Sequence, residues 1–481
     1  MSKRANSQFI RWVPRYAPFS AMFERFLVFL RELGISPLEG EGPTFVVGYS
    51  GGADSTCLLH LLHRAEVDVI AAHLHHGMRD EADKEMALCE AFCEELDVPF
   101  ASGKADVPQI AATHKIGIEE AGRRARQDFL RRVAAQTGAT AIATAHTRDD
   151  HLETMLFNMA RGTGLAGLAG IPATHENKVR PLINFTREET RAYSAEHGLW
   201  FHDDPANSDL QFSRARIRHR VVPELRLAHP GFDQSMVRLA ATAEAEDSYL
   251  NSVAGAALEH CEASLNGNLH FLTRDCEFAL NTAQFQALHP VIARRAIRLL
   301  AAYFGADLGY DNTQKVLTEN QGAVTLEGGE AVIEWSESLI HVRQLSPITP
   351  FRYPLTVPGE TDSPEFGWVL AASRTQPIDY QREPGALDAK LDPRKLKGAL
   401  YFRTAEAKDE LARVGTGPTS LSKLMQDKSL TPAARQRLPV ICDLIGPVWV
   451  PGIGLSDRVK ITESTTDALW LRFGPLSGHN G

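Results

Sequence analysis

The chain has 481 residues, of which 43% are hydrophobic and 23% are charged, a composition typical of a globular protein with a sizeable core. It contains no run of about 20 apolar residues, so the sequence predicts no membrane span. The net charge of −9 excludes a protein that is basic throughout, and any nucleic acid must therefore be bound by local basic patches.

The six cysteines are scattered, and none forms a C-x-x-C pair. This spacing argues against a zinc ribbon, an iron–sulfur site and a disulfide framework, and it favours the reducing cytoplasm. The length predicts about three domains. Residues 1–20 are basic and lack the apolar core of a secretory signal, so we interpret them as an N-terminal extension. Residues 21–33 predict a short amphipathic helix that enters the first domain.

The stretch TFVVGYSGGADSTCLLHLL, from Thr44 to Leu62, predicts a buried strand, a glycine turn and a helix. The turn brings backbone N–H groups to the N-terminus of the helix, which is a ready site for an anion. No lysine follows the glycines, and this excludes the G-x-x-x-x-G-K-[ST] phosphate loop. Asp54 lies where a nucleotide phosphate would bind, and a carboxylate suits that place if it holds a magnesium ion. An ordinary glycine turn is the alternative.

Further strands predicted near 67–74, 98–103 and 139–144 alternate with helices. This alternation predicts a parallel sheet with helices on both faces and a ligand beyond the carboxyl ends of the strands. His73 lies at the end of one strand and His146 follows another. Histidines in the first of these places, in the motif AHLHHGMR, can meet a nucleobase or a ribose, although a polar loop explains that motif equally well.

Three acids, Asp149, Asp150 and Glu153, begin the helix that follows the strand near 139–144. Asp150 and Glu153 are three residues apart and therefore project from one face of the helix. Acids at a helix N-terminus can be simple caps. Beside a nucleotide site they can also contact magnesium or recognise a cationic substrate.

Two segments are rich in arginine. The helix predicted over 118–132 carries Arg123 and Arg126, and the segment 203–226 carries Arg214 and Arg218, four residues apart on one face. Solvated helix faces are the usual explanation of such runs. In an acidic protein with a nucleotide site, however, the two clusters favour contact with RNA phosphates.

The rest of the chain predicts a long helix over 231–265, mixed strands and helices over 266–345 with a turn at Gly328 and Gly329, and a strand-rich last domain after a proline-containing break. A helical hairpin is predicted within that domain over 419–437.

Together the motifs resemble the tRNA(Ile)-lysidine synthetase family within the PP-loop ATP pyrophosphatase superfamily. The matching motifs are SGGADS (50–55), HLHHGMR (73–79), EEAGRRAR (119–126), AHTRDDHLET (145–154), RGTG (161–164), RPL (180–182), DPANSD with FSRARIR (204–218), and LSKLMQDKSLTPAARQRLPVI with VWVPGIGLSDRVKIT (421–462). The resemblance covers nearly the whole chain after residue 40.

The resemblance implies an α/β parallel-sheet PP-loop domain over 21–230, a mixed, mainly helical domain over 231–345 and a small α+β tRNA-binding domain over 350–481. It also implies a reaction in which ATP adenylates the wobble cytidine of an isoleucine tRNA with a CAU anticodon. Free L-lysine then displaces AMP from C2 of the base. The resemblance suggests no membrane partner, and a homodimer is possible.

Residue roles follow from the same resemblance. Asp54, Asp150 and Glu153 are expected to be catalytic, Asp54 and Asp149 to hold Mg²⁺, and Asp150 and Glu153 to bind lysine. The tRNA contacts expected are Arg123, Arg126, Arg214 and Arg218. The residues expected to bind ATP are Ser50, Gly51, Gly52, Ala53, Asp54, Ser55, His73 and His146.

The sequence departs from the family at His151, at Gln127 and at 407–409, where Ala-Lys-Asp replaces the usual Gly-Asp. Three alternatives stay open. A PP-loop tRNA thiolase usually carries paired cysteines, and a nitrogen-transferring synthetase needs an ammonia source. A non-catalytic RNA-binding protein on a PP-loop scaffold would not need its acids.

Overall fold

A computed structural model describes residues 21–35, 44–75, 82–202, 213–326, 330–345, 348–363, 366–375 and 386–476. The chain forms two compact units, the first ending at Asp247 and the second beginning at Ser248. The three-domain division stays a prediction. Within the described ranges, no helix is long and apolar enough to cross a membrane.

The first unit alternates strands and helices, as predicted. Its helices are α1 (Ala21–Glu32), α2 (Ala53–Arg64), α3 (Ala82–Glu95), α4 (Val107–His114), α5 (Ile118–Thr137), α6 (Arg148–Ala160), α7 (Leu165–Leu168), α8 (Arg187–Glu196), α9 (Ser213–Arg216) and α10 (Val222–Ala228). Its strands are β1 (Phe45–Gly48), β2 (Val69–His75), β3 (Phe100–Lys104), β4 (Ala141–Ala143), β5 (Thr174–His175) and β6 (Lys178–Val179). Four of these elements, α4, α7, β5 and β6, were not predicted from the sequence.

The six strands form one sheet in the order β3-β2-β1-β4-β6-β5, in which only the β5–β6 pair is antiparallel. Side chains alternate across it. Phe45 and Val47 pack with α1 and α2 on one face, and Val46 packs with Phe129 and Leu130 of α5 on the other. Because β2 and β4 lie on opposite sides of β1, a crevice opens at the carboxyl ends of β1 and β4.

The second unit is built from antiparallel sheets and helices. The helix α11 (Phe232–Cys261) begins in the first unit and ends in the second, and the later helices are α12 (Thr282–Gln286), α13 (Pro290–Tyr303), α14 (Tyr310–Thr318), α15 (Leu421–Asp427) and α16 (Pro432–Arg437). Four strands form the sheet β7-β10-β9-β8: β7 (Glu277–Asn281), β8 (Gly322–Thr325), β9 (Ala331–Trp335) and β10 (Leu339–Gln344). The predicted turn at Gly328 and Gly329 lies outside the described residues.

The C-terminal region of this unit contains three further sheets, with strand orders β11-β15-β18-β19-β20, β12-β13-β21-β14 and β16-β17. The strands are β11 (Arg352–Pro354), β12 (Gly359–Ser363), β13 (Trp368–Thr375), β14 (Asp388–Leu391), β15 (Tyr401–Arg403), β16 (Glu410–Ala412), β17 (Pro418–Ser420), β18 (Val440–Cys442), β19 (Pro447–Val450), β20 (Gly454–Leu455) and β21 (Ala468–Pro475). The predicted helical hairpin is present as α15 and α16.

Candidate active site

The glycine turn after β1 has a backbone that only glycine adopts easily. Gly51 has a φ of +76°. A Cβ atom on Gly51 would lie 2.8 Å from Sγ of Cys89 and 3.0 Å from Nδ1 of His202, so a side chain would also clash. Gly52 caps α2 with an extended backbone. The turn therefore presents backbone, rather than side chains, at the N-terminus of α2.

Two hydroxyl groups shape the same turn. The Oγ atoms of Ser50 and Ser55 are 3.1 Å apart, and the backbone N–H of Ser50 donates to Oγ of Ser55 across 3.2 Å. Oγ of Ser55 donates in turn to the carbonyl of Gly52 across 2.9 Å. Ser55 is buried and Ser50 is exposed. Ser50 can therefore contact a ligand directly, while Ser55 holds the loop.

Asp54 lies in the first turn of α2, and its two carboxylate oxygens differ. Oδ1 accepts a hydrogen bond from the hydroxyl of Thr190 on α8, whereas Oδ2 lies 3.9 Å from Nε of Arg187. Within the described part of the chain, Oδ2 accepts no hydrogen bond. Burial, together with the neighbouring charge of Asp150, raises the pKa of Asp54 to about 6. A cation beside Oδ2 would offset both the cost of burying the carboxylate and its repulsion from Asp150.

The predicted acids of α6 meet Asp54 through the side chain of Arg187, which was not predicted from the sequence. The guanidinium of Arg187 donates to Oδ1 of Asp150 and to Oε1 of Glu153, in addition to its contact with Asp54. Glu153 is only 4% exposed, so its charge requires such partners. Acids from the ends of β1 and β4 therefore form one cluster around Arg187.

Asp150 also caps its own helix. Its Oδ2 accepts from the backbone N–H and from the hydroxyl of Thr147, both across 2.8 Å, which completes a capping box. Burial alone would raise the pKa of Asp150, but the charge of Arg187 and the bonds from Thr147 lower it below its usual value. The structure therefore confirms the capping interpretation, and the catalytic and lysine-binding roles of Asp150 stay predictions.

Two further arginines enclose the acids. Arg218 donates to Glu153 from Nε across 2.9 Å and from Nη2 across 3.0 Å. Both oxygens of Asp149 are bonded, Oδ2 to the backbone N–H of Arg187 and Oδ1 to Nη2 of Arg226. The magnesium role of Asp149 stays a prediction, and its two bonds favour a role in positioning the start of α8.

The helix that carries Arg218 is irregular. A turn of π-helix, Ile217–Val221, lies between α9 and α10. Such turns are rare and frequently occur at functional sites. The arginine-rich pattern of the sequence gives no sign of it.

The two predicted histidines lie close to the sheet edge. His73 is buried, its Nδ1 is 3.0 Å from the carbonyl oxygen of Tyr49, and its ring stacks on Phe100. Nδ1 of His146 is 2.9 Å from the hydroxyl of Thr144. Burial lowers the pKa of both histidines. Both are therefore neutral near pH 7, and their ATP contacts stay predictions.

The arginines predicted to contact RNA differ in their surroundings. Arg123 is exposed, but its guanidinium makes two hydrogen bonds of 2.8 and 2.9 Å to Glu120 on the same helix. Arg126 and Arg214 are also exposed, and the guanidinium of Arg214 lies 5.8 Å from the centre of the Phe157 ring. The side chain of Arg218 is only partly exposed, and it contacts Glu153 of the acid cluster. Residues 203–212, which include the predicted motif DPANSD, lie outside the described residues.

Two of the three departures from the family pattern make local contacts in the structure. Nδ1 of His151 lies 3.1 Å from both the nitrogen and the oxygen of Ile171. Asp409 is buried and forms two 2.7 Å bonds to the guanidinium of Arg403, so that departure builds an internal ion pair.

The six cysteines are free and buried. Burial raises the pKa of Cys89, Cys93 and Cys276 to about 12 and that of Cys442 to about 11. It raises the pKa of Cys57 and Cys261 as well. A reactive cysteine needs a lowered pKa and access, so these thiols are poorly suited to carry sulfur.

Comparison with known proteins identifies relatives of both ends of the chain. A family model described as a PP-loop domain matches residues 28–225, and one described as the TilS substrate C-terminal domain matches residues 400–470. The tRNA(Ile)-lysidine synthase of Dehalococcoides mccartyi is 27% identical, with 94% of this chain and 98% of that protein covered. The enzyme of the same name from Pseudothermotoga lettingae is 38% identical, with 40% of this chain and 44% of that protein covered.

Among solved structures, the U34-tRNA thiolase of Methanococcus maripaludis is similar over 46% of this chain and 78% of the thiolase chain, with 19% identity and a TM-score of 0.40. A crystal structure of a TilS C-terminal domain is similar over 26% of this chain and 98% of that domain, with 19% identity and a TM-score of 0.25.

Proposed function

Because this chain belongs to the tRNA(Ile)-lysidine synthase family of PP-loop proteins, we propose that it ligates free L-lysine to an isoleucine tRNA. The acceptor is C2 of the wobble cytidine in a CAU anticodon. ATP adenylates the C2 oxygen and releases diphosphate, and an amine of lysine then attacks C2. The C2 oxygen leaves with AMP, and the product, lysidine, lets the tRNA read AUA.

The observation that carries this proposal is the meeting of two sets of residues at one edge of the sheet. The turn after β1 offers backbone N–H groups to phosphates, and the acids that follow β4 lie beside it, joined to Asp54 through Arg187. A nucleotide and a cationic amine can therefore be held side by side. Proximity of this kind lowers the barrier for a two-step transfer.

The hydrogen-bond inventory of the acids distinguishes their roles. Each carboxylate oxygen of Glu153 already accepts one bond from Arg187 and one from Arg218. A carboxylate has about four acceptor sites, so Glu153 is filled. Asp150 accepts one bond at Oδ1 and two at Oδ2. We therefore assign the lysine ammonium contact to Asp150 and a positioning role to Glu153.

Magnesium fits the donor set at Asp54. Mg²⁺ in nucleotide sites is usually held by one or two carboxylates together with phosphate oxygens, and Oδ2 of Asp54 is a carboxylate oxygen with no hydrogen bond from the described residues. When bound, the ion would neutralise charge that develops on the phosphates. The chain itself supplies the loop N–H groups and Ser50 for the phosphates.

The test is incorporation of labelled lysine into RNA. Purified protein is mixed with ATP, magnesium and either of two CAU-anticodon tRNAs, the isoleucine or the methionine one. Label should enter only the isoleucine tRNA and only with ATP. AMP formation that requires a sulfur donor, without label in RNA, would instead support the thiolation alternative. Release of no diphosphate at all would support a binding protein. A homodimer and a cytoplasmic location stay predictions.

A further inference from the structure

A buried threonine, Thr190, touches the carboxylate that the proposed function assigns to magnesium. Thr190 lies on α8, is 0% exposed, and donates its hydroxyl hydrogen to Oδ1 of Asp54. Its Oγ1 is also 2.9 Å from the carbonyl of Arg187 in the same helix. A hydroxyl has one hydrogen, and the charged acceptor makes the stronger bond. The carboxylate is therefore the favoured partner.

The bond engages one oxygen of Asp54, Oδ1, and leaves Oδ2 without a hydrogen bond from the described residues. A carboxylate in the first turn of a helix can rotate about its Cβ–Cγ bond and exchange its two oxygens. With Oδ1 held by Thr190, this rotation is opposed, and Oδ2 stays the oxygen that accepts no hydrogen bond from the described part of the chain. We propose that Thr190 is a positioning residue that presents Oδ2 of Asp54 to the metal–nucleotide complex. This inference rests on the proposed function.

The helix that carries Thr190 is itself held rigidly against α2. The hydroxyl of Tyr193 is 2.9 Å from Nδ1 of His60 and accepts a hydrogen bond of 3.4 Å from Nη1 of Arg64, and both partners lie on α2. Thr186 caps α8 in a capping box with Glu189. These contacts locate Thr190 independently of its own hydroxyl. Removing that hydroxyl should therefore leave the helix in place and release only Asp54.

Thr190→Val tests the inference because valine has the same shape without the donor, and Thr190→Ser restores the donor. The probe is Mn²⁺ with α,β-methylene-ATP, and free Mn²⁺ is followed by electron paramagnetic resonance. We expect Thr190→Val to weaken binding of the Mn²⁺–nucleotide complex about 10-fold, as is typical when a group that orients a metal ligand is lost. Thr190→Ser should bind like the unaltered protein.

Ser194→Ala is the matched control. It removes a buried hydroxyl from the same helix interface, one turn further on, that does not touch Asp54. It should leave Mn²⁺–nucleotide affinity unchanged, and thermal unfolding will show that each variant is folded. Equal affinity of Thr190→Val and the unaltered protein would overturn the inference. Failure of the unaltered protein to bind the probe would overturn the magnesium role of Asp54 as well, so the two failures are distinguishable.

Discussion

Buried arginine–carboxylate pairs occur in both units, but they are used in different ways. In the C-terminal region, Asp443 is fully buried and accepts two bonds from Arg458. It also accepts from the backbone N–H groups of Lys397, Ile445 and Gly446. In the first unit, by contrast, one guanidinium is divided among three acids, and one oxygen of Asp54 accepts no hydrogen bond from the described residues.

The pKa directions express this difference. Burial would raise the pKa of Asp443, but Arg458 and the backbone donors outweigh it and lower the pKa. At Asp54 burial dominates, and the pKa rises to about 6 although Thr190 and Arg187 act against it. A carboxylate whose bonds are all supplied by the protein builds structure. One that the fold leaves partly unsatisfied is suited to a ligand.

The sharpest test of this distinction is Asp54→Ala. We expect diphosphate release to fall by about 100-fold to 1,000-fold, the scale of losing one group that stabilises developing charge. Binding of tRNA, measured by filter retention, should be unchanged because the charge removed is not in an RNA contact. Strong residual diphosphate release would show that Asp54 belongs with the structural carboxylates.

At Asp443, whose two oxygens are both bonded within the protein, we expect a loss of stability instead of a loss of activity. Asp443→Asn leaves Arg458 without its charge partner and should destabilise the surrounding strands by about 3 kcal/mol. Hydrogen exchange of the β18 and β19 amides measures this directly. The control, Asp467→Asn, breaks the exposed pair with Arg374 and should cost less than about 1 kcal/mol. Diphosphate release per folded molecule should stay unchanged in both variants.

The difference between the Asp443–Arg458 pair and the acid cluster around Arg187 could be predicted only in part from the sequence. Periodicity and glycines located β1, the turn and α2, because these depend on neighbours in the chain. The same logic placed Asp150 and Glu153 on one helix face. Arg187 was missed because the motif around it, Thr-x-x-Glu, predicts a helix cap, and its contacts are made with residues far away in sequence.

Asp150→Asn probes the shared cluster at the acid that still has an acceptor site. The asparagine oxygen can keep the cap to Thr147, but the charge that would attract the lysine ammonium is lost. We expect the lysine KM to rise about 10-fold to 30-fold, the cost of one hydrogen bond to a charged group, with little change in the ATP KM. An equal rise in both would mean that Asp150 serves the nucleotide.

The smallest expected effect concerns the arginines outside the cluster. Reversal of both Arg214 and Arg218 would confuse two functions, because Arg218 is bonded to Glu153. Arg214→Gln alone is the cleaner test, since Arg214 is exposed and its guanidinium faces the Phe157 ring.

If Arg214 contacts a phosphate, affinity for tRNA should fall several-fold, and the slope of log K against log salt should decrease by about 1. Arg238→Gln is the control, because Arg238 is an exposed arginine outside both predicted clusters that donates to Ser235 on its own helix. An unchanged salt slope for Arg214→Gln would make this arginine part of a solvated helix face. RNA contact would then have to be sought at other arginines.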